Sequence, residues 1–165
     1  MRQALVVCVG NSLVGDDAAG CAVHEMLAAR PLPEGVRLEL LGVGGLRLLD
    51  ELRGEDVLIA ADAVQLGAPA GTVHVLAWEE LPAAGAAVTS HGVGLRETIE
   101  VGRLLFPGVM PTRTFLVGIE GRVFDQIGAG LSPAVAAAIE PAVAAVRDLV
   151  ERVAEGVPRP GLSGS

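Results

Sequence analysis

Three residues in this sequence can do metal chemistry: Asp17, Asp62 and His91. Two carboxylates and an imidazole suit a divalent transition metal. Imidazole favours nickel or zinc, and carboxylate adds charge. Three protein ligands also leave coordination positions open, as exchangeable and catalytic sites do and closed structural zinc sites do not. Each residue has a local alternative. Asp16 and Asp17 stand where a helix would start, and a carboxylate there stabilises a helix by about 0.3–1 kcal/mol through its dipole. Asp62 fits a turn at a strand end, and a single loop histidine is commonly structural.

The elements around these residues decide whether they can meet. Ala4–Val9 is a continuous apolar run, as in a strand buried on both faces. Gly10–Gly15 reads as a loop, and Ala18–Arg30 as a helix stopped by Pro31 and Pro33. Val36–Leu41 is a second strand, and Leu46–Leu52 a short amphipathic helix after the Gly44–Gly45 break. Val57–Ala61 is a third strand with Asp62 at its C-terminal end. Gly67–Gly71 is a turn, Thr72–Ala77 a fourth strand, and Trp78–Ala87 an acidic, then Pro- and Ala-rich surface loop. A helix is expected over Val93–Leu105 and the last strand over Thr114–Ile119. Ser132 then caps a terminal helix with Pro133 at its first position, running to Glu155, and Pro141 should kink or divide it.

This alternation implies one α/β domain over residues 1–155. It is a three-layer α/β/α sandwich with a mostly parallel, twisted sheet of about five strands. Residues 156–165, rich in Gly, Pro and Ser, read as a flexible tail. Ligand sites in such folds gather at the C-terminal ends of strands. Asp17, Asp62 and His91 all fall just after a strand or just before a helix, so parallel neighbouring strands would bring them together.

Composition narrows the partners. The net charge is −8 and all twelve basic residues are arginine, a balance that repels phosphate backbones and anionic lipid surfaces. The chain is therefore expected to bind neither nucleic acid nor membrane. Its start is too short and too weakly charged for a secretory signal, and two cysteines, Cys8 and Cys21, make no disulfide framework. The expected compartment is the cytoplasm, and the expected state of so compact and acidic a chain is a monomer.

Several familiar motifs fail. Gly10–Gly15 has P-loop glycine spacing, but Asp16 and Asp17 replace the required Lys and Ser/Thr. No G-x-G-x-x-G follows the first strand. His24–Glu25 begins like a zinc-protease motif, with Ala28 where the second histidine belongs. Ser12 lacks the G-x-S-x-G frame. Both cysteines read as inert packing groups.

The motifs that remain resemble one family, the hydrogenase maturation endopeptidases. VVCVGNSLVGDDAAG resembles its opening strand and loop, G-N-x-x-x-x-D-[DE]-x-x-G. GVGGLRLLDEL is similar to its glycine turn and Leu-rich helix, and VLIAADAV to its third strand with a terminal Asp. TSHGVGLRETIEVGRLL and FLVGIEGRVFDQIGAGLSPAVAAAIEPAV resemble its His loop and its last strand and helix. The resemblance runs in order from Met1 to about Val153. Asp17 stands where many members have Glu, and Ala18–Ala19 separate the acidic pair from Gly20.

The resemblance implies an endopeptidase that acts late in assembly of a nickel–iron hydrogenase. It would cut a C-terminal extension from the large-subunit precursor once nickel is loaded. Metal contacts would fall on Asp17, Asp62 and His91, catalytic roles on Asp17 and Asp62, and substrate contacts on Asn11 and Asp16. The nickel would come with the substrate. No permanent cofactor is expected, and an isolated sample would carry at most an adventitious ion such as cadmium or zinc. Two mechanisms stay open: nickel polarises the scissile carbonyl, or nickel serves recognition while a carboxylate activates water. Trp78, beside Glu79 and Glu80, is a candidate contact for the precursor. The alternatives are a non-catalytic metal-sensing chaperone for the same precursor, a peptidase with its own zinc, and a flavodoxin-like scaffold for an unknown ligand.

Overall fold

The computed structural model describes residues 3–42, 45–81 and 95–156. Five strands form one sheet: β1 (Ala4–Val9), β2 (Val36–Leu41), β3 (Val57–Val64), β4 (Val73–Ala77) and β5 (Arg113–Glu120). Their order is β2-β1-β3-β5-β4, and every pairing is parallel except β4 with β5. The apolar runs explain the centre: β1, β3 and β5 are buried almost throughout, while β2 and β4 at the edges are mostly half-buried. The segment between β3 and β4 is too short for a crossover helix, so the chain turns back and β4 runs antiparallel.

Helices cover both faces. On one side α1 (Ala19–Ala28) and α4 (Pro133–Glu155) pack on Val6, Cys8, Ile59 and Val117. On the other, α2 (Leu48–Glu51) and α3 (Leu95–Leu105) pack on Leu5, Val7 and Leu58 through Leu48 and Ile99. The expected single α/β domain with a mostly parallel five-stranded sheet is the observed architecture.

Four boundaries differ for physical reasons. First, β3 does not end at Ala61. Its pairing with β1 stops at Cys8–Ala61, but its pairing with β5 continues to Val64–Glu120, so Asp62 lies inside the strand. Second, Asp16 and Asp17 belong to a 3-10 turn, Gly15–Ala18, that precedes α1, and neither is the N-cap residue of that turn or of α1. Third, Trp78–Glu80 is a 3-10 turn closed by Ala77 N–H donating to Glu80 Oε2 at 2.9 Å.

Fourth, Pro141 does not divide α4, which is continuous. Pro141 and Ala137, whose carbonyl loses its helical donor, both face solvent. Nine residues of α4 are buried, among them Val135, Ile139, Val146 and Leu149. Burying each such side chain is worth about 1.5–3 kcal/mol. Their sum exceeds the cost of an internal proline, about 3 kcal/mol.

The crossing of α1 over β1 depends on Gly20. A Cβ there would lie 1.8 Å from the Val9 carbonyl oxygen, a backbone atom with no room to yield. Gly20→Ala is expected to lower the unfolding free energy in urea by about 3 kcal/mol or more. A stability equal to wild type would show that the helix can ride higher on the strand.

Candidate active site

The loop after β1 is shaped locally and then anchored across the fold. Asn11 Oδ1 accepts from Leu13 N–H at 3.0 Å, Asp17 N–H donates to Val14 O at 2.9 Å, and Asn11 N–H donates to Asp17 O at 3.1 Å. Gly15 has φ +44°, and a Cβ there would lie 2.4 Å from Val123 O, so the tight approach to the loop after β5 requires glycine.

Asp16 completes the anchor. Its Oδ2 accepts from Arg122 N–H at 2.8 Å, Val123 N–H at 2.9 Å and Ser132 Oγ–H at 3.0 Å, and its Oδ1 accepts from Ser132 N–H at 2.7 Å. The side chain is fully buried. Burial alone would raise its pKa, but these donors outweigh that effect and hold the carboxyl below its usual range. Asp16 thus has a structural role, joining the loop after β1 to the loop after β5 and the start of α4. Ser132 sits at the N-cap of α4 but makes no cap hydrogen bond with its side chain, because its hydroxyl serves Asp16. Asn11 likewise uses its side-chain oxygen to shape the loop.

Asp17 and Asp62 both lie at the switch point of the sheet. From β1 the chain passes through α1 to β2 on one side, then returns to β3 on the other, and crevices open at the C-terminal ends of such strand pairs. The β1–β3 ladder ends at Ala61, one residue before Asp62. Asp17 is in the turn that follows β1, and both side chains are buried to within 6% exposure. The Cys21 thiol feels both charges: burial first, then Asp17, and more weakly Asp62, raise its pKa. Cys8 is pushed up to about 12 by burial, with Cys21 and Asp62 adding to the effect. These surroundings disfavour the thiolate at both positions. Beyond Asp62, Glu120 accepts from Leu66 N–H and Ala68 N–H at 2.8 Å and fixes the turn after β3.

His91 lies outside the described residues, as does the stretch 82–94 around it. Among the described residues no three His, Cys, Asp or Glu side chains form a metal-sized group. The flanks of the stretch are described. Leu81 packs with Ala60 and Val64, and Leu95 packs against the same cluster. These belong to the face of β3 that carries Asp62, by the strand's two-residue alternation.

The loops after β1 and β5 form an exposed apolar rim among the described residues. Leu13 is 65% and Ile127 84% exposed, and their loops are joined by a Val14–Ile127 bridge and by Gly128 N–H donating to Leu13 O. Sequence reasoning missed this rim and the partners of Asp16, because both depend on contacts between loops more than a hundred residues apart.

Comparison with known proteins identifies the family. Residues 21–149 match the model of the hydrogenase maturation protease family, HycI. That span includes Asp62 and His91 and begins just after the loop of Asp16 and Asp17. The hydrogenase 2 maturation protease of Escherichia coli (strain K12) is 37% identical over 160 residues, 94% of this chain and 95% of the relative. The hydrogenase expression/formation protein HupM of Azotobacter chroococcum mcd 1 is 33% identical over 161 residues, 95% of this chain and 76% of the relative. The solved structure of the hydrogenase maturating endopeptidase HybD from E. coli superposes with a TM-score of 0.80 at 35% identity, covering 93% of this chain and 94% of that one. The chain belongs to the hydrogenase maturation protease family, and its class is that of a peptidase.

Removing the Asp16 charge tests the anchor. Asp16→Asn leaves buried N–H donors without an acceptor and is expected to cost about 2–4 kcal/mol of stability. Because the folded carboxyl lies below its ordinary value of 3.8, its stabilisation is complete above that pH and is lost as pH falls through the lower folded value. Urea unfolding between pH 7 and pH 2 should show a shallower acid loss in Asp16→Asn than in wild type. Identical slopes would remove Asp16 from the account.

Proposed function

We propose that this protein is the endopeptidase that removes the C-terminal extension of a nickel-loaded nickel–iron hydrogenase large-subunit precursor. Asp17, Asp62 and His91 contact the nickel carried by that substrate. What supports the reading is the placement of Asp17, in the turn after β1, and Asp62, just past the end of the β1–β3 ladder, both at the switch point of the sheet, in a chain of the hydrogenase maturation protease family.

Two carboxylates in one crevice provide charge for a divalent cation and a base for water. Asp16, though adjacent in sequence, is engaged by four donors and takes no part. The division leaves Asp17 as the acidic residue the loop presents to the crevice. His91 adds a borderline-soft nitrogen that favours nickel over magnesium or calcium. A metal-loaded precursor satisfies this set and an unloaded one does not, so cutting follows loading. The exposed Leu13 and Ile127 suit a polypeptide lying across the rim. Among the described residues no helix is long and apolar enough to cross a membrane, and we place the reaction in the cytoplasm with the protein acting as a monomer.

The test is cleavage of a large-subunit precursor from the same organism, with and without nickel, read as loss of the extension by mass spectrometry. The nickel-loaded precursor alone should be cut. Asp17→Asn and Asp62→Asn should each slow cleavage by about 10²–10⁴-fold. His91→Ala should raise the precursor concentration needed for half-maximal rate. Binding of the loaded precursor without cleavage would support a non-catalytic chaperone instead. Cleavage of the nickel-free precursor at the same rate would remove metal sensing.

A further inference from the structure

Asp62 stands on a stretch of strand that is held from one side. The ladder with β1 ends at Cys8–Ala61, and Asp62, Ala63 and Val64 pair with β5 alone among the described residues. A strand end with one ladder opens more easily than one with two, so the place of Asp62 depends on what holds the tip.

Glu120 holds it. Glu120 pairs with Val64, the last residue of β3, and so projects to the face that carries Val64 and Asp62. Its backbone is fixed independently of that tip: Glu120 N–H donates to Thr72 O at 2.8 Å, and Glu120 O accepts from Gly71 N–H at 2.8 Å. The carboxylate then grips the chain just beyond β3. Oε2 accepts from Leu66 N–H at 2.8 Å, and Oε1 accepts from Leu66 N–H at 2.9 Å and Ala68 N–H at 2.8 Å. The side chain of Glu120 is almost fully buried, and these backbone donors offset the cost of burying its charge. His74 Nε2 lies 3.5 Å from Oε1, close enough to add a charge pair when the ring is protonated.

Two further contacts show that the tip is seated. Gly121 N–H donates to Val64 O at 3.0 Å. Gly118, opposite Asp62, leaves the space that Val64 fills: a Cβ there would lie 2.9 Å from both methyl carbons of Val64. Leu66 packs back on the same cluster as Val64.

We infer that Glu120 is a positioning residue for Asp62, acting through the backbone of β3. The inference rests on the endopeptidase reading for what Asp62 does once it is placed. Glu55 supplies the control. It is equally buried, and its carboxylate also holds a backbone N–H, that of Arg53 at 2.8 Å, but it lies before the opposite end of β3.

The test compares wild type, Glu120→Gln and Glu55→Gln, each well below its thermal midpoint, by cleavage of the nickel-loaded precursor and by amide hydrogen exchange. Glu120→Gln should lower kcat by about 10–100-fold with KM nearly unchanged, as expected of a reacting group displaced on a folded scaffold. Exchange at Gly121, whose N–H reports the tip of β3 directly, should quicken by about tenfold relative to the amides of β1. Glu55→Gln should lose stability while kcat and the ratio of Gly121 to β1 exchange stay at wild-type values. If Glu120→Gln does not fold, Glu120→Asp, which keeps the charge and withdraws it by one methylene, should show the same pattern. In wild type itself the Leu66 and Ala68 amides should be protected. Unprotected amides there, a wild-type kcat in either folded Glu120 variant, or an equal kcat loss in Glu55→Gln would overturn the inference. If wild type does not cut the precursor, the endopeptidase reading fails, and the exchange comparison alone decides whether Glu120 holds Asp62 in place.

Discussion

One buried carboxylate ties the working end of this molecule together. Asp16 sits in the turn after β1 and accepts hydrogen bonds from the loop after β5 and from the start of α4. A buried anion is costly unless every lone pair is used. Here three backbone N–H groups and a hydroxyl use them, and the charge lies at the N-terminus of a long helix, where the dipole favours it. The arrangement fixes the turn that carries Asp17. In the proposed reading, the placement of Asp17 therefore depends on its acidic neighbour.

This division between neighbours follows from the 3-10 turn. In a regular helix, successive side chains project about 100° apart, and the tighter turn increases the angle. Adjacent aspartates thus project in different directions: Asp16 faces the loop after β5, and Asp17 is the one we propose for the substrate's metal. The sheet places the other carboxylate by a difference in ladder length: β3 pairs further along β5 than along β1, so Asp62 is held in a strand on the β5 side, one residue beyond the end of the β1 ladder. Gly20 lets α1 lie directly on β1 and brings Cys21 within the field of both acids. The high thiol pKa values follow from burial reinforced by that negative field.

Much of the fold was legible because the strands are buried on both faces and so are written as unbroken apolar runs. β1 and β2 have the bounds that pattern gives. The position of Asp62 was legible for the same reason, although its strand runs two residues further to Val64. The role of Asp16 was not legible: local pattern offers a helix cap, and the true partners, Arg122, Val123 and Ser132, lie on the far side of the sequence. Ser132 looked like a cap for α4, and it holds that place while giving its hydroxyl to Asp16. Pro141 read as a break, but the buried face of α4 outweighs one lost backbone bond on the solvent side.

The central claim is that the paired carboxylates read a metal presented by the substrate. The direct measurement is the affinity of the inactive Asp62→Asn protein and of wild type at low temperature for nickel-loaded and nickel-free precursor, by titration calorimetry. The account predicts tighter binding of the loaded form by wild type, with the preference reduced in Asp62→Asn and lost when Asp17→Asn is added. Equal affinity of wild type for loaded and nickel-free precursor would contradict it.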